Sequence, residues 1–330
     1  MIRNGSILAV VLFVLLVVAL TGVSFAYRCG LEYRLAHQAA ISAELRSSAR
    51  SAVAVAMARL ASQPAGPVHL GQPWADWSGS GLEAFRLSLY ESQQKNSEAI
   101  SWEVRVVDEQ SKVNLMRSSS RTLHALGLSD EQIAGLMDWL DKDDSALAGG
   151  AEDDFYLERP LPHRAKNGPI ERIDELLLVK GFERSPKNSS NTPANDAAAT
   201  GEGKNSREIV DQFFTCYGDG RLNVNTASPQ VLRTLPVNTE LIDAIITSRI
   251  NGPGGAGRGF GEIKDLSDIA KVDPVELGAL EKLLRFDSEY FRIYVRTRHE
   301  ASGLDCRLEV LVKMYPTRLE IVEWKTFWGD

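Results

Sequence analysis

The stretch ILAVVLFVLLVVALTGVSFA, Ile7 to Ala26, decides how the rest of the chain is organised. It carries no charge over twenty residues, which is enough for a helix to cross a hydrocarbon layer of about 30 Å. Arg3 precedes it, and a positive charge on that side favours a cytoplasmic N-terminus and export of the rest of the chain. A cleaved secretory signal peptide remains the alternative, with Val23–Ala26 as a weak cleavage site.

The chain beyond the apolar stretch continues as a helix. No Pro or Gly interrupts Leu31–Gln63, and apolar residues recur there at roughly helical spacing until Pro64 and Gly66 end the pattern. We therefore predict one continuous helix from near Ser6 to Ser62, about 85 Å long at 1.5 Å per residue. Its first half is hydrophobic all round, and its second half is amphipathic with an Ala-rich face suited to close packing.

Composition places the chain among ordinary globular proteins. It has 330 residues, 44% of them hydrophobic and 25% charged, which is long enough for two domains. The net charge of −7 makes a nucleic-acid phosphate backbone an unfavourable partner. Three cysteines, Cys29, Cys216 and Cys306, form neither a disulfide framework nor a metal quartet, and pairing of Cys216 with Cys306 stays open.

Alternating apolar and polar residues predict an antiparallel sheet with one buried face. The predicted strands are Val68–Leu70, Trp102–Asp108, Tyr290–His299, Cys306–Tyr315 and Arg318–Trp324.

The region between the second and third of these strands is mostly helical by pattern. Ser129 and Gln132 form a capping box at a helix start, and Ser228 with Pro229 opens another helix. Further helices are predicted at Arg172–Val179, Glu240–Arg249, Ile263–Ala270 and Pro274–Leu284. Residues 184–207 have almost no apolar content and predict a flexible surface loop.

An acidic run, DWLDKDDSALAGGAEDDFY, follows the capped helix. Clustered carboxylates on a flexible loop are the hard oxygen ligands that Ca²⁺ prefers, although the EF-hand spacing is absent. The alternative is a solvated acidic loop with no ion. The candidate ligands are Asp141, Asp143, Asp144, Glu152, Asp153 and Asp154, with Asp219 in the turn Gly218–Gly220 as an additional candidate.

The N-terminus resembles the type IV pilin and pseudopilin family, because a short basic leader ends in Gly5 and a long apolar helix follows at once. The resemblance implies that a prepilin peptidase cuts between Gly5 and Ser6 and methylates the Ser6 amine. Pilins usually carry a Glu at the fifth mature position, which is Val10 here. Loss of that Glu is known for pseudopilin K and fits a tip position, where no neighbouring N-terminal amine is present to pair with it.

The segments DWLDKDD and LNVNTASP resemble the type II secretion minor pseudopilin K family, also called general secretion pathway protein K. The resemblance implies an α+β fold, a pilin-like long N-terminal helix packed on an antiparallel sheet, with a large all-α insertion. We expect a leader at 1–5, the helix at 6–65, a pilin-like α/β domain at 66–112 and 286–330, and a SAM-like or helix-hairpin-helix-like insertion at 113–285.

The same resemblance implies function and location. The chain is expected to be a non-enzymatic structural subunit at the tip of the type II secretion pseudopilus, which serves protein export across the outer membrane. Its implied partners are the minor pseudopilins I, J and H, the prepilin peptidase and the bacterial inner membrane, which it spans once with its body in the periplasm. Calcium is an implied structural ion, because pseudopilin K binds calcium.

Two other functions stay open. The segment NVNTASP also opens helix-hairpin-helix DNA-binding modules, which predicts a membrane-tethered DNA-binding or DNA-uptake protein. The expected hairpin at Leu235–Leu241 lacks the glycines and the lysine that grip phosphate, so we favour a structural role and no nucleic-acid partner. A membrane-anchored hydrolase using the acidic run is the third hypothesis, but no catalytic motif accompanies the carboxylates.

Overall fold

The computed structural model describes residues 4–75, 100–182, 206–251, 259–269 and 274–329. The predicted leader therefore lies mostly outside the described residues, as does most of the predicted loop at 184–207, whose last two residues begin a helix.

The N-terminal helix α1 runs unbroken from Asn4 to Ala61, as its pattern predicts. The apolar membrane-length window in its first half is not buried anywhere against the rest of the protein. In the second half one face is buried, at Ile41, Leu45, Ala49, Ala52, Ala56 and Leu60. Their spacing of three or four residues is that of a single helix face, so one rod combines a free apolar end with a packed end.

The packed end of α1 lies on a four-stranded antiparallel sheet in the order β1-β6-β7-β8. Within the described ranges the strands are β1 Ile100–Asp108, β2 Val113–Asn114, β3 Phe214–Thr215, β4 Leu222–Asn223, β5 Leu284–Arg285, β6 Tyr290–His299, β7 Asp305–Tyr315 and β8 Arg318–Gly329. Alternate side chains of β1, β6 and β7 form one core with α1. The predicted α+β, pilin-like fold is confirmed.

One predicted strand is wrong. Val68–Leu70 is irregular, and Val68 donates its N–H to the Phe286 carbonyl outside any ladder. The Gln72 side chain accepts from His69 N–H and donates to the Pro67 carbonyl, so this segment closes locally as a turn.

The segment between β1 and β6 contains short helices around a second core. They are α2 Ser120–Ala125, α3 Asp130–Leu140, α4 Asp153–Leu157, α5 Ser206–Phe213, α6 Pro229–Leu232, α7 Thr239–Asn251, α8 Ile263–Ile269 and α9 Pro274–Leu283. The capping box at Ser129 and the Ser228 cap with Pro229 are both confirmed. The predicted helix at Arg172–Val179 is a short 3₁₀ helix, Ile173–Leu178, with extended residues on both sides.

The two internal cysteines occupy different cores. Cys216 packs in the helical core and Cys306 packs between α1 and the sheet, and both thiols are free. The pairing that the sequence left open therefore does not occur.

Charged and polar side chains fill the boundary between the two cores. Arg292 is 3% exposed, and its guanidinium donates to Glu109 at 2.7 Å and to Glu309 at 2.5 Å. Burial alone would raise the pKa of Glu109, but the charges of Lys112 and Arg292 outweigh it and hold the pKa at about 2. Thr215, from the helical part, donates to the second Glu109 oxygen at 2.6 Å. This pair therefore links strand β6 to the helical part.

Replacing Arg292 with Met should lower the free energy of unfolding substantially. The change leaves Glu109 buried without its closest cation, a loss of about 3–5 kcal/mol in the free energy of unfolding. Chemical denaturation of the native and variant chains measures it. The matched control is Arg318→Met, because Arg318 is 68% exposed and its pair with Glu320 contributes about 0–1 kcal/mol. Equal losses in the two variants would contradict a structural role for Arg292.

Candidate metal centre

The acidic run lies where α3 ends and the chain folds back towards α4. Asp141 is the C-cap of α3, at the negative end of the helix dipole. Glu152 is the N-cap residue of α4 but makes no capping hydrogen bond with its side chain. Side-chain oxygens of Asp141, Asp143 and Glu152 all lie within 4.8 Å of one another. The fold thus places three carboxylates together at an end of a helix that already disfavours negative charge.

Three oxygens of this cluster lack hydrogen-bond donors. Both oxygens of Glu152 and Oδ1 of Asp141 are buried and have no hydrogen-bond partner. A buried charged oxygen without a donor or a cation costs several kcal/mol. The arrangement is therefore unfavourable for an empty acidic cluster and suited to a cation.

The pKa values show the same unbalanced charge. Burial, followed by the charges of Asp138, Asp141, Asp144 and Asp143, raises the pKa of Glu152 to about 7. Burial, and then the charges of Asp143 and Asp138, also raise the pKa of Asp141. A divalent cation would reverse this effect, because it favours the charged form of every carboxylate around it.

Asp138 holds the returning loop in place. It is fully buried on α3 and accepts from Leu147 N–H at 3.2 Å and from Ala151 N–H at 2.7 Å. A Cβ at Gly150 would overlap the Asp138 carboxylate, so only glycine allows this close approach. Asp138 thereby positions Glu152, and sequence reasoning missed this role. Its spacing of three residues before Asp141 on one helix was the available signal.

An aromatic cluster packs beside the two ends of the acidic loop. The Trp139 ring contacts Tyr156 at 5.3 Å between centroids and His163 at 6.0 Å, both edge-on. Tyr156 is buried and accepts from Lys180 N–H at 3.3 Å. Because Trp139 follows Asp138 and Tyr156 closely follows Glu152, this packing fixes both ends of the acidic loop.

The other predicted ligands lie apart from the three clustered carboxylates. Asp144 is exposed and outside this group of three, and its charge raises the pKa of Glu152. Asp153 accepts from Arg164 at 3.0 Å and from Ala165 N–H at 2.9 Å, and Asp154 is exposed. Asp219 pairs with Arg221 at 2.7 Å and lies 3.6 Å from Arg285, so arginines already satisfy it.

Two basic side chains near the expected hairpin are already paired within the helical part. Arg249 donates to the carbonyls of Val224 and Ala227, and Arg233 pairs with Asp243 at 3.2 Å. The side chain of Asn238 accepts from Leu241 N–H at 2.7 Å, so it occupies an amide that a phosphate would need. This geometry favours a structural hairpin.

The raised pKa of Glu152 sets a pH dependence in the absence of metal. In the unfolded chain this group loses its proton near its ordinary value of 4.5, whereas the folded chain retains the proton up to about 7. The folded state therefore binds more protons in that window, and its stability falls as the pH rises through it. Glu152→Gln should remove this fall and melt above the native chain near pH 8 with a chelator present, by a few degrees.

Thermal melting at about pH 5 and about pH 8 measures this difference. The exposed Glu158 supplies the matched control, since Glu158→Gln should leave the pH dependence of the native chain unchanged. A Glu152→Gln variant with the native pH profile would show that the three carboxylates do not interact as described.

The chain is similar to known proteins in a family model, in a curated sequence and in fold. Residues 90–188 match the family described as "Type II secretion system (T2SS), protein K". A curated relative, "Type II secretion system protein K" of Pectobacterium carotovorum subsp. carotovorum, is 42% identical over 50 residues, which cover 15% of this chain and 15% of the relative.

The third match is in fold. A chain of the crystal structure of the GspK-GspI-GspJ complex from the type 2 secretion system of enterotoxigenic Escherichia coli superposes with a TM-score of 0.55. The match covers 92% of this chain and 99% of that one at 20% identity. The family match includes β1 and the whole acidic loop. The resemblance that the sequence predicts is thus confirmed, with the match to the protein K family lying in residues 90–188.

Proposed function

We propose that this chain is a minor pseudopilin, a structural subunit at the tip of a type II secretion pseudopilus that serves protein export across the outer membrane. The observation that carries the proposal is α1. Its first half is apolar, unburied and long enough to cross a membrane, while its second half forms one hydrophobic core together with the sheet. A continuous helix of this kind fixes the position of a folded body relative to a membrane or a filament. This role requires no catalysis.

The location follows from the same helix. The apolar half is proposed to cross the inner membrane once, with the sheet and the helical part in the periplasm. Processing between Gly5 and Ser6 by a prepilin peptidase, with methylation of Ser6, would leave the apolar half at the new N-terminus. Intact-mass measurement on protein from cells tests this step, and a retained leader would contradict it.

The tip position rests on Val10. A carboxylate at this depth of the apolar half would need a cation from a neighbouring subunit, because an unpaired charge in hydrocarbon is costly. Val10 needs no such neighbour and is 58% exposed. A subunit without that requirement suits the end of a filament, and its proposed partners are the minor pseudopilins I, J and H.

The acidic loop is proposed to hold a structural Ca²⁺. Asp141, Asp143 and Glu152 would supply carboxylate ligands, with Asp138 holding the loop that carries Glu152. Hard oxygen ligands and their unsatisfied charge fit this ion. The ion would supply the positive charge that the buried oxygens lack, and it would thereby stabilise the fold. An enzymatic role is not part of the proposal.

Calcium should raise the melting temperature of the native chain, and a chelator should reverse the rise. Binding to the folded state alone stabilises it by about 2.7 kcal/mol at a hundredfold excess of calcium over the dissociation constant. Asp141→Asn should abolish most of the shift because it removes a ligand. The same substitution at Asp219 is the control and should keep the shift. A chain whose melting temperature does not respond to calcium would overturn the calcium proposal.

Assembly with other pseudopilins tests the function itself. The chain should be co-expressed in full length with minor pseudopilins I and J of the same organism and purified from detergent by a tag on this chain alone. We expect both partners to co-purify in a complex stable to gel filtration. Purification of this chain by itself, under conditions in which I and J are expressed and soluble, would contradict the proposal.

A further inference from the structure

Strand β8 is an exposed apolar edge of the sheet. Within the described residues it pairs with β7 alone, so one side of a twelve-residue strand has no partner strand. Five of its large hydrophobic side chains are 37% to 47% exposed: Ile321, Val322, Trp324, Phe327 and Trp328. Natural proteins usually protect such an edge with charges or proline, because a free edge attracts further strands.

The exposed side chains lie on both faces of the sheet. Register pairs Trp324 with Val310 and Trp328 with Cys306, both of which are buried under α1. Phe327 pairs with Arg307 on the opposite face. The extra residue Val322 forms a bulge, because Ile321 pairs with Val312 and Glu323 with Leu311. A helix laid on one face would leave Phe327 uncovered, whereas a strand alongside β8 would cover both faces and satisfy the open backbone groups.

Positive charge flanks the C-terminal end of this edge. The Arg46 guanidinium lies 5.2 Å from the ring centroid of Trp328 on the α1 face. Arg307 is exposed on the other face beside Phe327, with its Nε 2.6 Å from Asp305. Arg46 makes no ion pair with any residue that the structure describes. A segment bound at this edge would therefore be complementary in charge if it carried acidic side chains near this end.

A second copy of this chain does not suit the edge. Antiparallel pairing of two β8 strands requires a two-fold axis perpendicular to the sheet. Because α1 lies on the sheet, this axis would set the two α1 helices antiparallel. The apolar halves of the two helices would then point in opposite directions and could not enter one membrane. The occupant is therefore a different polypeptide.

We propose that β8 is the docking edge for an extended segment of a partner pseudopilin, which adds a fifth strand to the sheet. In the partner segment, every second side chain is apolar and lies on the same face as Trp324 and Trp328, while the side chains between them lie on the opposite face. An acidic residue of the segment lies near Arg46. The inference rests on the proposed function, because it takes its partner from there. It adds the surface and the type of contact.

The test uses the full-length chain co-expressed with pseudopilins I and J. The double variant Val322→Lys with Trp324→Lys places two charges on the edge, and we expect the recovered partner to fall by about tenfold or more. Val275→Lys is the matched control, since Val275 is 80% exposed on α9 and should retain the partners. Melting temperatures of both variants near the native value establish that the fold is intact.

Hydrogen exchange separates a strand from other contacts. The backbone amides of β8 that point away from β7 should exchange at least about tenfold more slowly in the complex than in the free chain if a strand pairs with them. Capture that survives the double variant, or unchanged exchange at β8, would overturn this inference and leave the proposed function standing. Failure of the native chain to capture I or J would overturn both. A dimer of this chain without partners, seen by light scattering, would assign the edge to self-association instead.

Discussion

The packing of the second half of α1 on the sheet is the contact on which the rest of the structure depends. Helix residues such as Leu45 and Ala56 are completely buried against β1, β6 and β7. Thr297 of β6 donates to the Leu45 carbonyl at 3.1 Å, which fixes the helix along the sheet as well as across it. Because the same helix continues without a break into its apolar half, the orientation of the whole body relative to the N-terminal end follows from this one contact.

The helical part is joined to this frame through polar groups instead of a shared apolar core. Asp108 ends β1 and accepts from Ser288 at 2.6 Å, Thr226 and Asn223. Burial raises its pKa to about 6, although the four hydrogen bonds it accepts lower it. Asn223 also donates to the Val68 carbonyl at 3.0 Å, so one side chain contacts three segments. Such a polar layer contributes less hydrophobic stabilisation than an apolar core. Each of its groups is satisfied only when its hydrogen-bond partners lie in one arrangement.

The acidic loop has a different role in the fold. Its carboxylates are positioned by Asp138 and by the aromatic contacts of Trp139, and yet both oxygens of Glu152 and Oδ1 of Asp141 lack donors. The surrounding packing therefore holds an arrangement that repels itself. Negative charge concentrated by a rigid frame is a common basis for cation binding, since the frame has already ordered the ligands before the ion arrives.

The sequence by itself determined the elements whose signal is local. The long helix, strand Tyr290–His299 and the caps at Ser129 and Ser228 follow from periodicity and capping residues, which act within a few positions of the chain. Only the tertiary structure decided which acidic residues meet. Asp141 and Glu152 are eleven positions apart, and their approach depends on a buried Asp138 and on Gly150. Asp219 is paired with its neighbour Arg221 and also lies 3.6 Å from Arg285 of a distant segment. Charge pairing and burial are set by long-range packing, which no local pattern encodes.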